Sequence, residues 1–206
     1  MSNHILKGVM IALICVNAFI AWGQDSHTHE NKKNRTMNDL AILKERNETY
    51  VRTYQAGIPM NPKFNTVILT CIDARIVPAH FLGLELGDAI VMRNPGARVT
   101  DEVERDLAIL WTLASKIAGD QFDGLSFMII HHTDCGYEKL ANPKIQEGLS
   151  AQLGIDKETL DALAIHDHTS AMKDDISKLK NSERISPELE IYGLLYDVET
   201  GMLNEL

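Results

Sequence analysis

The chain has no cluster of lysine and arginine that could track a phosphate backbone. Its 20 basic residues are outnumbered by 29 acidic ones, a formal charge of −9, which argues against nucleic acid as a partner. It has no internal repeat and no long low-complexity segment, so repeat architectures are set aside. Its one long apolar run falls short of the roughly 20 residues a membrane-spanning helix needs. Cysteine is scarce, with three in 206 residues. What is present is an ordinary apolar fraction of 45% and the length of one domain, enough to bury a core.

That apolar run lies at the start. "MSNHILK" carries one lysine, "GVMIALICVNAFIA" is apolar apart from Asn17, and Ala21-Trp22-Gly23 forms a small-x-small site. Residues 1–23 are thus expected to be a signal peptide cleaved near Gly23, directing export to a periplasm or secretory space. An uncleaved anchor is the alternative; a lipoprotein reading of Cys15 is weaker, because Ile14 is not small. Residues 24–36 are expected to be a disordered lead-in, with His27 and His29 solvated. The mature chain is expected to have no membrane association, and residues 37–206 should form the folded domain. Two cysteines remain there, Cys71 and Cys135, and in an oxidising compartment the plain expectation is a disulfide.

The spacing of Met37, Leu40, Leu43, Tyr50, Val51 and Tyr54 predicts an amphipathic helix ending near Gly57. "TVILTC", "AIVMR" and "LSFMIIHH" read as three strands, and "NPGAR" as a tight loop. A helix is expected over Asp101–Ala118 with Thr100 as its N-cap and acidic residues at its positive end. "KETLDALAI" and "HTSAMKDDISKLKN" look helical and mostly exposed, and "ELEIYGLLYDVETGMLNEL" reads as a closing strand and hairpin. Strands separated by helical crossovers imply an α/β fold, a single domain with a mostly parallel central sheet flanked by helices. Ligand sites in such sheets collect beyond the carboxyl ends of the strands. Cys71 follows the first strand and Cys135 the third.

"HHTDCG" places His132 three residues before Cys135, so one turn can direct an imidazole and a sulfur at a single point. With Cys71 the set is two thiolates and one imidazole, which suits Zn2+ in tetrahedral geometry. Three protein ligands leave a fourth position, the mark of a catalytic zinc site. Asp73 can fill that position itself or turn away and pair with Arg75, whose fork engages a carboxylate through two bonds. Zinc lowers the pKa of bound water to about 7, and an ionised Asp73 could then accept the hydroxide's hydrogen bond. An ordinary strand-end ion pair is the plainer reading of Asp73 and Arg75. His131 is expected to be structural, since alternation points it away from His132. His166 and His168 are expected at the surface.

"CIDAR", "RNPG" and "HHTDCG", in that order and spacing, resemble the β-class carbonic anhydrases, in particular their compact bacterial-type branch, over nearly all of the mature chain. The resemblance implies one Zn2+ per chain on Cys71, His132 and Cys135. Asp73 would either cap the metal or, paired with Arg75, support a zinc-bound hydroxide attacking carbon dioxide. It also implies a homodimer or dimer of dimers, with the N-terminal helix reaching across to a partner. Carbonic anhydrases with three histidine ligands form an unrelated class, so the resemblance implies nothing of their rate. Two positions depart from the family pattern: Ala74 stands where serine is common and Pro95 where alanine is common in the closest branch. The expected reaction is reversible hydration of carbon dioxide to bicarbonate. The alternatives are hydrolysis of carbon disulfide or carbonyl sulfide, a non-catalytic zinc module, and a redox pair of Cys71 and Cys135.

Overall fold

The structure is a computed structural model that describes residue 32 and residues 35–206. The expected signal peptide, most of the lead-in, Cys15, His27 and His29 lie outside the described residues. The chain divides into two units, one ending at Gly57 and one beginning at Ile58. In the first, helix α1 covers residues 35–51, stopping short of Gly57. Its predicted stripe is exposed, with Met37, Leu40, Leu43, Tyr50 and Val51 all open to solvent.

The second unit is built on a five-stranded sheet of order β2-β1-β3-β4-β5. β1 (Thr66–Cys71), β2 (Ile90–Asn94), β3 (Ser126–His132) and β4 (Glu190–Tyr196) are parallel, and β5 (Leu203–Glu205) closes the edge antiparallel to β4. The helices are α2 (Pro78–Phe81), α3 (Asp101–Ala118), α4 (Pro143–Leu153), α5 (Lys157–Leu163) and α6 (His168–Lys180). α3 has the bounds its sequence predicts, and the Thr100 hydroxyl accepts from the Val103 amide. The sequence pattern does not mark α4, because its polar sequence carries only a thin apolar stripe.

Every residue of β1 is buried, as expected of a strand covered on both faces. Val67 and Leu69 of β1, Phe127 and Ile129 of β3, Val103 and Leu107 of α3, and Met172 and Leu179 of α6 form one core cluster. Each fully buried side chain of this size contributes about 1.5–3 kcal/mol. α6 was expected to be mostly exposed. Instead it buries Ala171, Met172, Asp175 and Leu179, and it lies close to β4 because Gly193 has no Cβ. A Cβ there would sit 2.6 Å from Met172 Cγ.

The register sets the site. Thr70 of β1 pairs with Ile130 of β3, and His132 pairs with Tyr196 of β4. The carboxyl ends of β1 and β3 therefore finish side by side, bringing Cys71 and the "HHTDCG" turn to one edge of the sheet.

Candidate metal centre

Cys71 ends β1 and His132 ends β3. Two residues on, Asp134 adopts a left-handed backbone, φ 54°, a conformation aspartate tolerates better than most residues. That turn brings Cys135 back toward His132. The ligand atoms of Cys71, His132 and Cys135 all lie within 4.8 Å of one another, and all three residues are buried. This is the set the sequence pointed to.

The cysteines are free thiols, with their sulfurs 4.0 Å apart, so the plain expectation of a disulfide is not met. Two sulfurs bound to one tetrahedral zinc at about 2.3 Å would stand about 3.8 Å apart, close to the spacing found. Thr133 O lies 2.9 Å from His132 Nδ1; a carbonyl only accepts, so Nδ1 carries the proton and Nε2 presents a lone pair. Nε2 is buried and has no hydrogen-bond partner. A buried lone pair beside two thiols is the arrangement a cation satisfies, and the donor set fits zinc.

The electrostatics agree. The Cys71 thiol is pushed well down, chiefly by the hydrogen bond from Cys135, with His132 and the Gly96 amide adding to the effect. Cys135 is pushed up, because it is the donor in that bond and is buried. Without a cation, ionising one of two adjacent sulfurs disfavours ionising the other. The Gly96 amide donates to Cys71 Sγ at 3.3 Å. Gly96 has φ 74°, and a Cβ would lie 2.8 Å from the Tyr137 ring, so the close approach requires glycine.

Asp73 stands outside this cluster. Arg75 Nε donates to its Oδ1 at 3.1 Å and Nη2 to its Oδ2 at 2.8 Å, and the Arg75 amide adds a bond to Oδ1 at 2.9 Å. These bonds hold the Asp73 carboxyl far below the usual carboxylate range. Arg75 is itself held from the other strand end: Nη1 donates to Asp134 Oδ2 at 2.8 Å and Nη2 to Asp134 O at 3.0 Å.

A family model described as carbonic anhydrase matches residues 66–186. The chain belongs to the carbonic anhydrase family, in its β class. A solved carbonic anhydrase from Streptococcus mutans is 36% identical, covering 81% of this chain and 96% of its own, with a TM-score of 0.67. Beta-carbonic anhydrase 1 of Mycobacterium bovis is 28% identical over 160 residues, 78% of this chain and 93% of that protein. Carbon disulfide hydrolase of Saccharolobus solfataricus is 28% identical over 184 residues, 78% of this chain and 85% of that protein.

Within this β-class carbonic anhydrase scaffold, several residues around the cluster escaped the sequence reading. Arg93, inside the quoted "RNPG", donates to the carbonyls of Cys71, Asp73 and Ile76 at 3.0, 2.8 and 2.7 Å and so braces the backbone that carries the Asp–Arg pair. Asp134, inside "HHTDCG", is the second anchor of Arg75. Glu138 follows Cys135 at capping-box spacing, a signal that was available, and its carboxylate accepts from the Cys135 amide at 3.0 Å. His131 is fully buried and does not join the cluster, as alternation predicts. His166 is at the surface against Asp161, but His168 is not: its side chain is 16% exposed and bonds Glu138.

Proposed function

We propose that this chain catalyses the reversible hydration of carbon dioxide to bicarbonate and a proton, using Zn2+ held by Cys71, His132 and Cys135. The observation that carries the reading is the two-bond Asp73–Arg75 pair, which engages both carboxylate oxygens beside a buried Cys–His–Cys cluster. Zinc, when bound, would supply the Lewis-acid chemistry that makes water nucleophilic near neutral pH.

The chain's own residues do the rest. Arg75 keeps Asp73 ionised and turned from the cluster, so the carboxylate is free to accept a hydrogen bond from the attacking water. That bond aims an oxygen lone pair at the carbon of carbon dioxide. Asp73 does not keep the proton, because Arg75 disfavours its neutral form; the proton passes to buffer. Arg93 and Asp134 hold Asp73 and Arg75 in register with each other. Stopped-flow hydration by zinc-loaded protein tests the proposal. Activity lost in Asp73→Ala supports it, and no hydration between pH 6.5 and 9 with zinc bound overturns it.

The similarity to a carbon disulfide hydrolase supports a second reading, hydrolysis of carbon disulfide or carbonyl sulfide by the same residues. Sulfide release assayed beside hydration separates the two. A non-catalytic zinc module capped by Asp73 is disfavoured by the Asp73–Arg75 pairing, which turns Asp73 from the cluster. We further propose a homodimer or dimer of dimers, supported by the exposed apolar stripe of α1 and tested by light scattering. Export with cleavage near Gly23 is proposed from the leader sequence, and N-terminal sequencing of the protein from its native cells tests it.

A further inference from the structure

A line of polar side chains, buried at Arg98, Asp175 and His131 and half-buried at His168 and Glu138, runs behind the Cys–His–Cys cluster, and the mechanism above does not use it. Arg98 donates to Asp175 of α6 at 2.8 and 3.3 Å. Asp175 Oδ2 stands 3.7 Å from Nε2 of the fully buried His131. His131 Nδ1 lies 3.4 Å from Nδ1 of His168, and His168 Nε2 lies 2.9 Å from Glu138 Oε1. That same oxygen accepts the amide proton of Cys135. Glu138 also donates its own backbone N–H to the Cys135 sulfur, closing a capping box around the ligand.

The proton positions follow from the acceptors. A carboxylate only accepts, so His168 Nε2 carries a hydrogen toward Glu138. In the neutral ring His168 Nδ1 is then an acceptor, and His131 Nδ1 must donate to it. His131 Nε2, 3.7 Å from Asp175 Oδ2, makes no hydrogen bond. His168 opens α6, and Asp167 caps that helix by accepting from Ser170 N. The imidazole is thereby fixed to a rigid element and not to the loop it supports. Seven residues on, Asp175 lies on the same helical face, so α6 presents both groups to β3.

We infer that His168 is a positioning residue for the metal centre. It locks the Glu138 carboxylate on the Cys135 amide and so sets where the Cys135 sulfur stands. Metal ligands are commonly oriented by such outer partners, and losing one typically costs about 10- to 100-fold in metal affinity. The inference rests on the reading of Cys71, His132 and Cys135 as zinc ligands.

The test compares His168→Gln with His168→Asn in the zinc-loaded full chain, because both retain size and polarity at one helix start. Glutamine can place an amide donor where Nε2 sits and so reach Glu138; asparagine reaches only as far as Nδ1. The readout is the rate of zinc loss to excess chelator, with the thiolate-to-metal absorption of the cobalt-substituted protein as a second, activity-independent signal. The expected result is loss about tenfold or more faster in His168→Asn, with a shifted cobalt spectrum. Glutamine should keep the wild-type rate to within a few-fold. Glu138→Ala should match His168→Asn, and the two changes combined should be no worse than Glu138→Ala alone, because one acts through the other. Equal rates in the Gln and Asn variants, or effects that multiply in the double variant, overturn the inference. Wild-type protein that binds no zinc removes the underlying reading first, an outcome distinct from failure of the His168 role.

Discussion

Replacing Arg98 by alanine strips a guanidinium from a nearly dry site. Its side chain is 9% exposed and that of Asp175 4%. Besides its two bonds to Asp175, Arg98 donates to the carbonyls of Leu163 and Ala164 at 3.2 and 2.8 Å. The variant leaves a buried carboxylate facing His131 Nε2 at 3.7 Å, beyond hydrogen-bond reach. Breaking a buried pair from one side costs about 3–5 kcal/mol. For a chain of this size each kcal/mol lowers the melting midpoint by about 2–4 °C, so the loss should be about 6–20 °C. Arg75 is the control: it also makes four side-chain hydrogen bonds, but its side chain is 48% exposed, and water replaces what is lost. Calorimetry of both variants should therefore show a large drop for Arg98→Ala and a small one for Arg75→Ala, whereas hydration activity should fall steeply in Arg75→Ala. Removing both buried partners in Arg98→Ala/Asp175→Asn should be milder than Arg98→Ala alone. Equal melting shifts for the two arginine variants, or a double variant worse than the single, would refute the reasoning.

Arg75→Lys keeps the charge but loses the fork that grips both Asp73 oxygens, and kcat/KM for hydration should fall by about 10- to 100-fold, measured by stopped flow. Because Arg75 holds the Asp73 carboxyl below the ordinary aspartate value of about 3.9, the pair's contribution is complete above that value and lost only as pH falls toward the lowered one. Any acid limb between pH 6 and 8 in the rate profile therefore belongs to another group, and it should stay in place in Asp73→Glu. Gly96→Ala puts a Cβ 2.8 Å from the Tyr137 ring on a left-handed backbone. Overpacking of this kind costs about 1–3 kcal/mol; denaturant melts should show that loss, and metal analysis should show reduced zinc occupancy as the amide leaves Cys71. Chelation should convert two slowly reacting thiols, Cys71 and Cys135, into two that titrate rapidly; titration that chelator leaves unchanged would count against both as ligands.

The three parallel strands, α3 with its Thr100 cap and the closing hairpin were legible because each is encoded within a few adjacent residues: β-branched runs, a capping hydroxyl, a turn at Gly201. The Cys–His–Cys set was legible for a related reason. Parallel strands in register finish at one edge, so residues at or just past the ends of β1 and β3 meet there whatever the helices do. The Asp73–Arg75 pair spans only two positions, and local geometry suffices to join it.

What the tertiary structure decided lies at longer range. Asp134 reaches Arg75 across 59 residues, His168 reaches His131 across 37, and Asp175 reaches Arg98 across 77. His168 and Asp175 look solvated in their own segment, where a charged or polar side chain on a helix is the rule. α6 reads as a mostly exposed helix until it docks on the sheet, and Gly193 permits that approach only because β4 lies beneath Met172. Periodicity reports which face of an element is apolar, but not which polar groups on that face will be buried together. That depends on how close two elements pack, a property of the pair and of neither sequence alone. The ligands of the proposed metal centre are thus written in the chain, and the groups that hold them still are written in its folding.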